Sequence, residues 1–166
     1  MEMLDVYSDK GRKTGKVVGR NKKDENLEVG EHIGVAVIYI ENSKNEFLIQ
    51  KTSEKKGSIY SSTSGHIKHG ERPIDTIKRE VKEELGIDIS KDKIINLGNL
   101  SFDFPMRFIF YLKKDIDIND ISLKKDEVES VSYMSKIKLK QIIKEGKMHE
   151  AHSKILERIL EYKNSN

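Results

Sequence analysis

Three glutamates, Glu80, Glu83 and Glu84, lie within five consecutive residues, and two further charged residues, Glu71 and Arg79, precede them. If the segment is helical, like charges at this spacing repel each other and lower the stability of the helix. A bound cation would remove that repulsion. Carboxylate oxygens without histidine or cysteine favour Mg²⁺ or Mn²⁺ over softer metals. The spacing therefore indicates a divalent-metal site, in which Arg79 is placed to orient the carboxylate of Glu83.

The alternative is a solvated, glutamate-rich flank of a helix, which is common in a chain with 28 acidic residues. The wider spacing argues against it. Five residues separate Gly65 from Glu71, and seven more separate Glu71 from the run R-E-V-K-E-E-L-G-I, which is Arg79–Ile87. Seven fixed identities and two aliphatic positions coincide by chance at roughly 10⁻⁹ per start position. The pattern therefore favours a functional site.

The segment Gly65–Ile87, called the box segment below, resembles the complete Nudix box, GX5EX7REUXEEXGU, where U is a bulky aliphatic residue. The strands before it and the strand–helix pattern after it also resemble the family, over about residues 31–165. The resemblance implies an α/β/α sandwich with a mixed sheet. It also implies Mg²⁺-dependent attack of water on a diphosphate, typically of a nucleoside diphosphate linked to another moiety. A non-catalytic nucleotide-binding module of the same family is an alternative, although it would not need all three helix carboxylates.

The resemblance further implies a division of roles among the box residues. The metal and base roles fall to Glu80, Glu83 and Glu84, while Glu71 and Arg79 support the helix geometry. Mg²⁺ is the implied metal, with Mn²⁺ as a substitute.

Two residues outside the box helix complete this assignment. The family resemblance implies that the backbone carbonyl of Ser64, just before the box, joins the metal shell. The general base differs among family members, and Glu127, in a loop before a later strand, is a candidate for it. A solvated loop acid is the alternative for Glu127.

Substrate contacts are less specific in the sequence. Lys51, with Lys55 and Lys56, precedes the box segment and could meet a diphosphate, although surface lysines are common. Tyr60 or Phe104 could stack on a base, and strand packing is the alternative for both. The identity of the substrate does not follow from the box, since folds host many functions.

Two histidines suggest a second family resemblance, to type I isopentenyl-diphosphate isomerases. His66 follows the box glycine and His32 opens a strand, and histidines ligate metal at comparable places in those enzymes. The segments Ser62–His66 and Phe47–Lys51 also resemble that family. However, Ser64 stands where the isomerases use a catalytic cysteine, and the chain has no cysteine. Isomerase chemistry is therefore disfavoured, and a structural role for each histidine stays open.

The rest of the sequence must position this site. A helix is predicted over Pro73–Leu85, ended by Gly86. An N-terminal hairpin is predicted from Leu4–Tyr7 and Lys16–Arg20, followed by a loop over Asn21–Gly30. The remaining elements are strands, then two C-terminal helices whose His149 and His152 are expected to face solvent: Ile33–Ile40, Glu46–Lys51, Ile94–Ser101, Met106–Leu112, Glu129–Met134, Lys136–Lys144 and His149–Lys163. The predicted organisation is an α/β fold with a hairpin extension over residues 1–30 and a Nudix hydrolase domain over residues 31–166.

The composition of the chain excludes several classes of function. The chain has 166 residues, 31 basic and 28 acidic, so its net charge of +3 gives no reason to expect a nucleic-acid partner. The longest apolar stretch, Ile33–Ile40, is far short of the roughly 20 residues that a membrane span needs. Because cysteines are absent, disulfides and thiol nucleophiles are excluded. We expect a cytoplasmic enzyme acting on a small-molecule diphosphate, with a homodimer through the hairpin as one possible assembly.

Overall fold

The computed structural model describes residues 1–22 and 26–166, which contain nine strands and three helices of nine or more residues. The strands surround a central one that spans His32–Glu41. The helices are the predicted box helix and two helices near the C-terminus. In chain order the strands are Met3–Tyr7 (β1), Lys13–Gly19 (β2), His32–Glu41 (β3), Glu46–Thr52 (β4), Tyr60–Ser61 (β5), Thr63–His66 (β6), Ile95–Ser101 (β7), Met106–Lys113 (β8) and Val128–Ser135 (β9), and the helices are Pro73–Leu85 (α1), Lys136–Lys144 (α2) and Ala151–Ser165 (α3).

The mixed sheet opens into a cleft. β3 pairs in parallel with β8 and antiparallel with β6, and β7 extends the sheet beyond β8. β4 pairs with β5 and β9. β3 and β4 pair beside their turn, at Glu41 and Phe47, and then diverge. The space between the β3–β6 and β4–β5 pairs is the cleft that holds the candidate site.

Alternation along β3 divides the core into two layers. Ala36 and Ile38 face one side of the sheet, whereas Val37 and Tyr39 face the other. The first side packs against α1 through an apolar stripe of that helix, in which Ile77, Val81 and Leu85 are fully buried. The second side packs against α2 and α3. The α/β/α sandwich is therefore confirmed.

The ends of α1 follow from the local sequence. Pro73 begins the helix, where its fixed φ fits and its missing N–H costs nothing. Arg72 provides no side-chain cap, as its residue type predicts. Gly86 ends the helix with a φ of 70°, a left-handed conformation that glycine adopts without the Cβ penalty.

The N-terminal hairpin is also confirmed, and it is docked on the rest of the sheet. β2 begins earlier than expected because Lys13 pairs with Tyr7. β1 also pairs with β3, and Asp5 accepts hydrogen bonds from the His69 ring and the Gly70 N–H. The predicted loop over residues 21–30 falls partly on residues 23–25, outside the described residues. The division at residue 30 and a dimer through the hairpin stay predictions.

Three further observations concern elements around the sheet and at the C-terminus. The Ser/Lys/Gly-rich stretch Thr52–Ser64, for which a loop with a short strand at its end is predicted, contains β5 and the start of β6 at its end. α3 begins at Ala151 instead of His149. No helix among the described residues is both long enough and apolar enough to cross a membrane.

The expectation that His152 faces solvent is wrong. His152 lies three and four residues before Ile155 and Leu156, on the buried stripe of α3, and is 7% exposed. Its Nδ1 is hydrogen bonded to the Tyr39 hydroxyl at 2.7 Å. Burial lowers the pKa of His152 to about 3, and the nearby charge of Arg107 acts in the same direction. His149, by contrast, is exposed.

The burial of His152 predicts acid sensitivity. Because its pKa is lowered from 6.5 to about 3, the unfolded chain takes up the proton first. The stability contribution is therefore complete above pH 6.5 and is lost as the pH falls towards 3, at most about 1.4 kcal/mol per pH unit. Urea unfolding between pH 7 and 4 should show a steeper loss for the wild type than for His152→Asn, with His149→Asn as control. Equal slopes in the wild type and His152→Asn would contradict this assignment.

Candidate active site

A polar pocket of about 490 Å³ occupies the cleft of the sheet. Its floor comes from β3, β4 and β6, and one wall comes from α1. The other wall comes from the loops before β5 and β9, and the N-terminal hairpin closes one side. All three carboxylates of the box helix line this pocket: Glu80, Glu83 and Glu84.

Arg79 holds most of these acids together. Its Nε and Nη2 each donate to the Glu71 carboxylate at 2.8 Å. Its Nη1 donates to Glu80 at 2.7 Å and to Glu83 at 3.3 Å. The hydrogen bond to Glu71 is the largest cause of the raised pKa of Arg79. One guanidinium therefore sets the position of three carboxylates, a geometry that the lysine point charge does not offer.

Glu71 anchors this arrangement. Its carboxylate also accepts the Lys68 N–H at 3.0 Å and the Thr76 hydroxyl at 3.1 Å. Burial raises the pKa of Glu71, but the hydrogen bonds from Arg79 and Lys68 outweigh it, so the pKa is lowered overall. Glu71 is thus an ionised anchor that ties the start of α1 to the preceding loop.

Gly65 is required because Glu80 lies directly against it. A Cβ at this position would lie 2.3 Å from Cδ of Glu80. Glu80 is largely buried between β6 and Arg79. Burial raises its pKa, and the charge of Arg79 opposes the rise. The box glycine is therefore explained by close packing of backbone against a carboxylate.

Glu84 is the least satisfied acid of the site. It is 7% exposed, and its Oε2 has no hydrogen-bond partner among the described residues. Its pKa is raised to about 8, first by burial and then by the negative charges of Glu80 and Glu127. Lys56 and a hydrogen bond with Gln50 act in the opposite direction. A buried carboxylate in this state is unfavourable unless a cation or a proton joins it.

Glu127 reaches the pocket from the loop before β9. Its carboxylate lies 3.3 Å from Nζ of Lys124 and 3.6 Å from Nζ of Lys56. The Ser53 N–H donates to its backbone carbonyl, which fixes the loop against the end of β4. The structure thus brings Glu127 to the box carboxylates across 43 residues of chain from Glu84.

Ser64 and the two histidines have different positions. Ser64 lies in β6, opposite Val37 of β3, and lines the pocket. His66 lines it too, and its carbonyl accepts from Arg79 at 3.4 Å. His32 does not line it: its ring bonds Asp9 at 2.6 Å and the Phe104 carbonyl at 3.0 Å. His32 therefore joins the hairpin to the turn before β8.

The substrate-contact candidates Lys51, Tyr60 and Phe104 are not part of this pocket. Strand alternation places Gln50 on the α1 side of β4, so Lys51 and its partner Tyr60 face the other side. There they line a separate cavity. Phe104 is exposed in the turn between β7 and β8.

Several pocket residues were not identified from the sequence. Gln50 could have been found from its alternation with Lys51 once the sheet side was known. Three others have no local signal, because they come from distant segments: Glu2, Arg20 and Lys124. Lys68 lies within the box segment, at one of its variable positions.

The donor set fits a hard divalent cation. The side chains are carboxylates without thiolate, and one buried oxygen has no partner. Among residues 1–22 and 26–166, no three acidic or histidine side chains already surround one ion-sized point. The ion pairs with Arg79 explain this, since they draw Glu80 and Glu83 towards the guanidinium. The arrangement could hold a cation beside a diphosphate and offer a carboxylate as a proton acceptor.

Known proteins resemble this chain along most of its length. A family model described as the NUDIX domain matches residues 30–159. An uncharacterized Nudix hydrolase of Listeria innocua is 31% identical over 154 residues, covering 88% of this chain and 87% of that protein. Isopentenyl-diphosphate Delta-isomerase of Corynebacterium diphtheriae is 33% identical over 75 residues, covering 43% of this chain and 40% of that protein.

A solved structure shows the same fold. The crystal structure of DR0079 from Deinococcus radiodurans matches with a TM-score of 0.73 at 18% sequence identity. The match covers 89% of this chain and 91% of that chain. The fold is therefore shared with a protein of low sequence identity.

The raised pKa of Glu84 predicts how the metal-free protein responds to pH. Because the folded pKa is about 8 and the ordinary value is 4.5, the folded state binds the proton more tightly. The contribution of this carboxyl to stability is therefore complete below pH 4.5 and is lost as the pH rises through 8, at most about 1.4 kcal/mol per pH unit.

Glu84→Gln should remove this slope. In EDTA, thermal unfolding should show the variant gaining stability over the wild type from pH 5 to pH 9. Glu157→Gln, on the far side of the sheet, serves as the matched control. A Glu84→Gln variant that parallels the wild type at every pH would refute the assignment of the slope to this carboxyl.

Proposed function

Since the chain belongs to the Nudix hydrolases, enzymes that cleave diphosphate bonds, we propose that it uses Mg²⁺ to hydrolyse a nucleoside diphosphate linked to another moiety, or a related organic pyrophosphate. Water would attack phosphorus and release two phosphorylated fragments, or pyrophosphate from a triphosphate. Mn²⁺ would substitute for Mg²⁺. The substrate is a small molecule under this proposal.

The observation that carries the proposal is the buried, unpartnered Oε2 of Glu84 beside Glu80 in a polar pocket. Leaving such an oxygen without a partner costs about 1–3 kcal/mol, which a ligand can recover. We assign the metal to the carboxylates of Glu80, Glu83 and Glu84 and to the backbone carbonyl of Ser64. When bound, the metal neutralises diphosphate charge and lowers the pKa of a bound water.

The remaining residues position the helix carboxylates or take the proton of the attacking water. Arg79 and Glu71 hold the helix carboxylates through the bonds described above, so they act as positioning residues. Glu127 is our candidate for the general base, accepting the proton of the attacking water at a carboxylate oxygen. Two observations support this assignment. Glu127 lines the pocket, and its ion pairs with Lys56 and Lys124 orient its carboxylate from the loop. A box glutamate is the alternative base.

Metal and carboxylate removal tests this proposal. Glu83→Gln and Glu84→Gln should each lower kcat on diphosphate substrates by about 10²-fold or more, since transition-state charge stabilisation is lost. A panel of diphosphates with Mg²⁺ or Mn²⁺, with both products identified, is the measurement. EDTA should abolish turnover, and Mg²⁺ should restore it. Mg²⁺ should also raise the melting temperature of the wild type more than that of Glu84→Gln.

Glu157→Gln again provides the control, because it removes a carboxylate distant from the pocket and should keep full activity. Undiminished turnover in both Glu83→Gln and Glu84→Gln would refute the metal-site assignment. Undiminished turnover in Glu127→Gln across the pH range would move the base role to a box glutamate.

A second candidate is isomerisation of isopentenyl diphosphate, favoured by the partial likeness to the isomerase of Corynebacterium diphtheriae. Ser64 stands where that chemistry uses cysteine, so we expect no double-bond shift in the wild type. Incubation with isopentenyl diphosphate and Mg²⁺, followed by NMR, distinguishes the two. Formation of the allylic isomer without phosphate release, increased in Ser64→Cys, would favour the isomerase over the hydrolase.

A further inference from the structure

The side of the active-site pocket nearest the N-terminus is basic and is not explained by the metal site. Arg20 follows β2, and Lys68 lies in the loop after β6. Both line the same cavity as Glu80, Glu83 and Glu84, and so does Glu2. The pocket therefore continues from the carboxylates to a region formed partly by the hairpin.

Several backbone contacts hold Arg20 in this place. Its N–H donates to the Glu2 carbonyl at 3.0 Å, next to the pairing of Met3 with Gly19. The hairpin is in turn fixed to the box loop, since Leu4 forms a bridge with Lys68 and the His69 N–H donates to the Met3 carbonyl at 2.8 Å. Arg20 and Lys68 thus belong to one hydrogen-bonded unit.

Charge pairing in the pocket is uneven. Lys56 and Lys124 are both paired with Glu127, and Arg79 is paired with box acids. The half-buried Lys68 has no ion-pair partner for its ammonium within residues 1–22 and 26–166.

The guanidinium of Arg20 uses only part of its hydrogen-bond donors. Its Nη1 donates to Glu2 at 3.0 Å, and no other donor of the guanidinium has a partner in the described part of the chain. Its side chain is 46% exposed. Unused guanidinium donors and an unpaired ammonium that line the same pocket are suited to an anion, and a guanidinium can bind phosphate through two parallel bonds.

We propose that Arg20 and Lys68 form an anion subsite that binds a phosphate of the substrate other than the two at the scissile bond. The inference rests on the proposed hydrolase function and narrows its substrate class. A further phosphate monoester brings about 1.5–2 negative charges beyond those that a metal offsets. The substrate therefore carries at least three phosphoryl groups, or a phosphate on the linked moiety.

Anion binding without metal tests the subsite apart from catalysis. Inorganic tripolyphosphate is titrated calorimetrically into the full-length protein in EDTA at low salt. Lys68→Ala and Arg20→Ala should each weaken binding by about tenfold or somewhat less, as expected for a charged hydrogen bond that solvent partly screens. Lys68→Arg should keep most of the affinity. The matched controls are Arg12→Ala in the same hairpin and Lys82→Ala on the exposed side of α1, and both should bind like the wild type.

Glu2→Gln gives a prediction of opposite sign. Glu2 competes with the anion for Arg20 and repels it, so its neutralisation should tighten tripolyphosphate binding by about threefold. A purely structural role for the Glu2–Arg20 pair predicts weaker binding instead. Unchanged affinity in both Lys68→Ala and Arg20→Ala, or weaker binding in Glu2→Gln, would overturn the subsite.

Steady-state kinetics then test the anion subsite separately from the proposed hydrolase function. With Mg²⁺, Lys68→Ala should raise KM more for a nucleoside triphosphate than for a nucleoside diphosphate linked to a neutral sugar. Equal effects on both substrates would refute the assignment of specificity. If the wild type hydrolyses no diphosphate at all, the proposed function fails, and the tripolyphosphate titration still decides whether the anion subsite exists.

Discussion

The geometry of the site depends on a single guanidinium shared by several carboxylates. Arg79 pairs with Glu71, Glu80 and Glu83 at once, and without it the charges of these partly exposed acids would repel each other with no cation between them. Glu84 lies beyond its reach and keeps an unpartnered oxygen. The same ion-pair cluster therefore fixes the positions of most box acids and leaves Glu84 buried without an ion-pair partner for its carboxylate in the described part of the chain. A bound cation can offset the free energy cost of burying this carboxylate. The stability of the metal-free protein is therefore linked to the proposed metal binding.

The sheet supplies the space in which this cluster works. β3 and β4 pair beside their turn and then separate, so that β6 and β5 line the two sides of a cleft. α1 closes the cleft through an apolar stripe on one face and presents its glutamates on the adjoining face. The hairpin adds Arg20 to the rim, held by pairing with β3 and by Asp5 bound to the box loop. A segment that is too short for a core of its own thus becomes part of the pocket wall.

Much of this was predictable from local patterns. The apolar spacing of α1, its stop at Gly86, the β-branched run of β3 and the hairpin all follow from short-range rules that need few neighbours. His152 shows where such rules fail. A polar residue on a mostly polar helix is expected to face solvent, but its position one turn before Ile155 puts it on the buried face, and the Tyr39 hydroxyl supplies the partner that makes burial tolerable. Lys51 and Tyr60 show the same limit, since the side of the sheet that a strand residue faces is known only once its neighbours are placed.

The sequence by itself determined the family and its helix: the spacing of two glycines, four glutamates and one arginine identified both, together with an oxygen-rich donor set. Only the tertiary structure decided which distant residues join them. Glu127, Gln50 and Arg20 are separated from the box helix by turns and strands, and their approach depends on the splay of the sheet and the docking of the hairpin. The reason is physical. Helical spacing places residues within about 6 Å of each other through local geometry alone, whereas contacts across a cleft depend on the sum of all intervening packing.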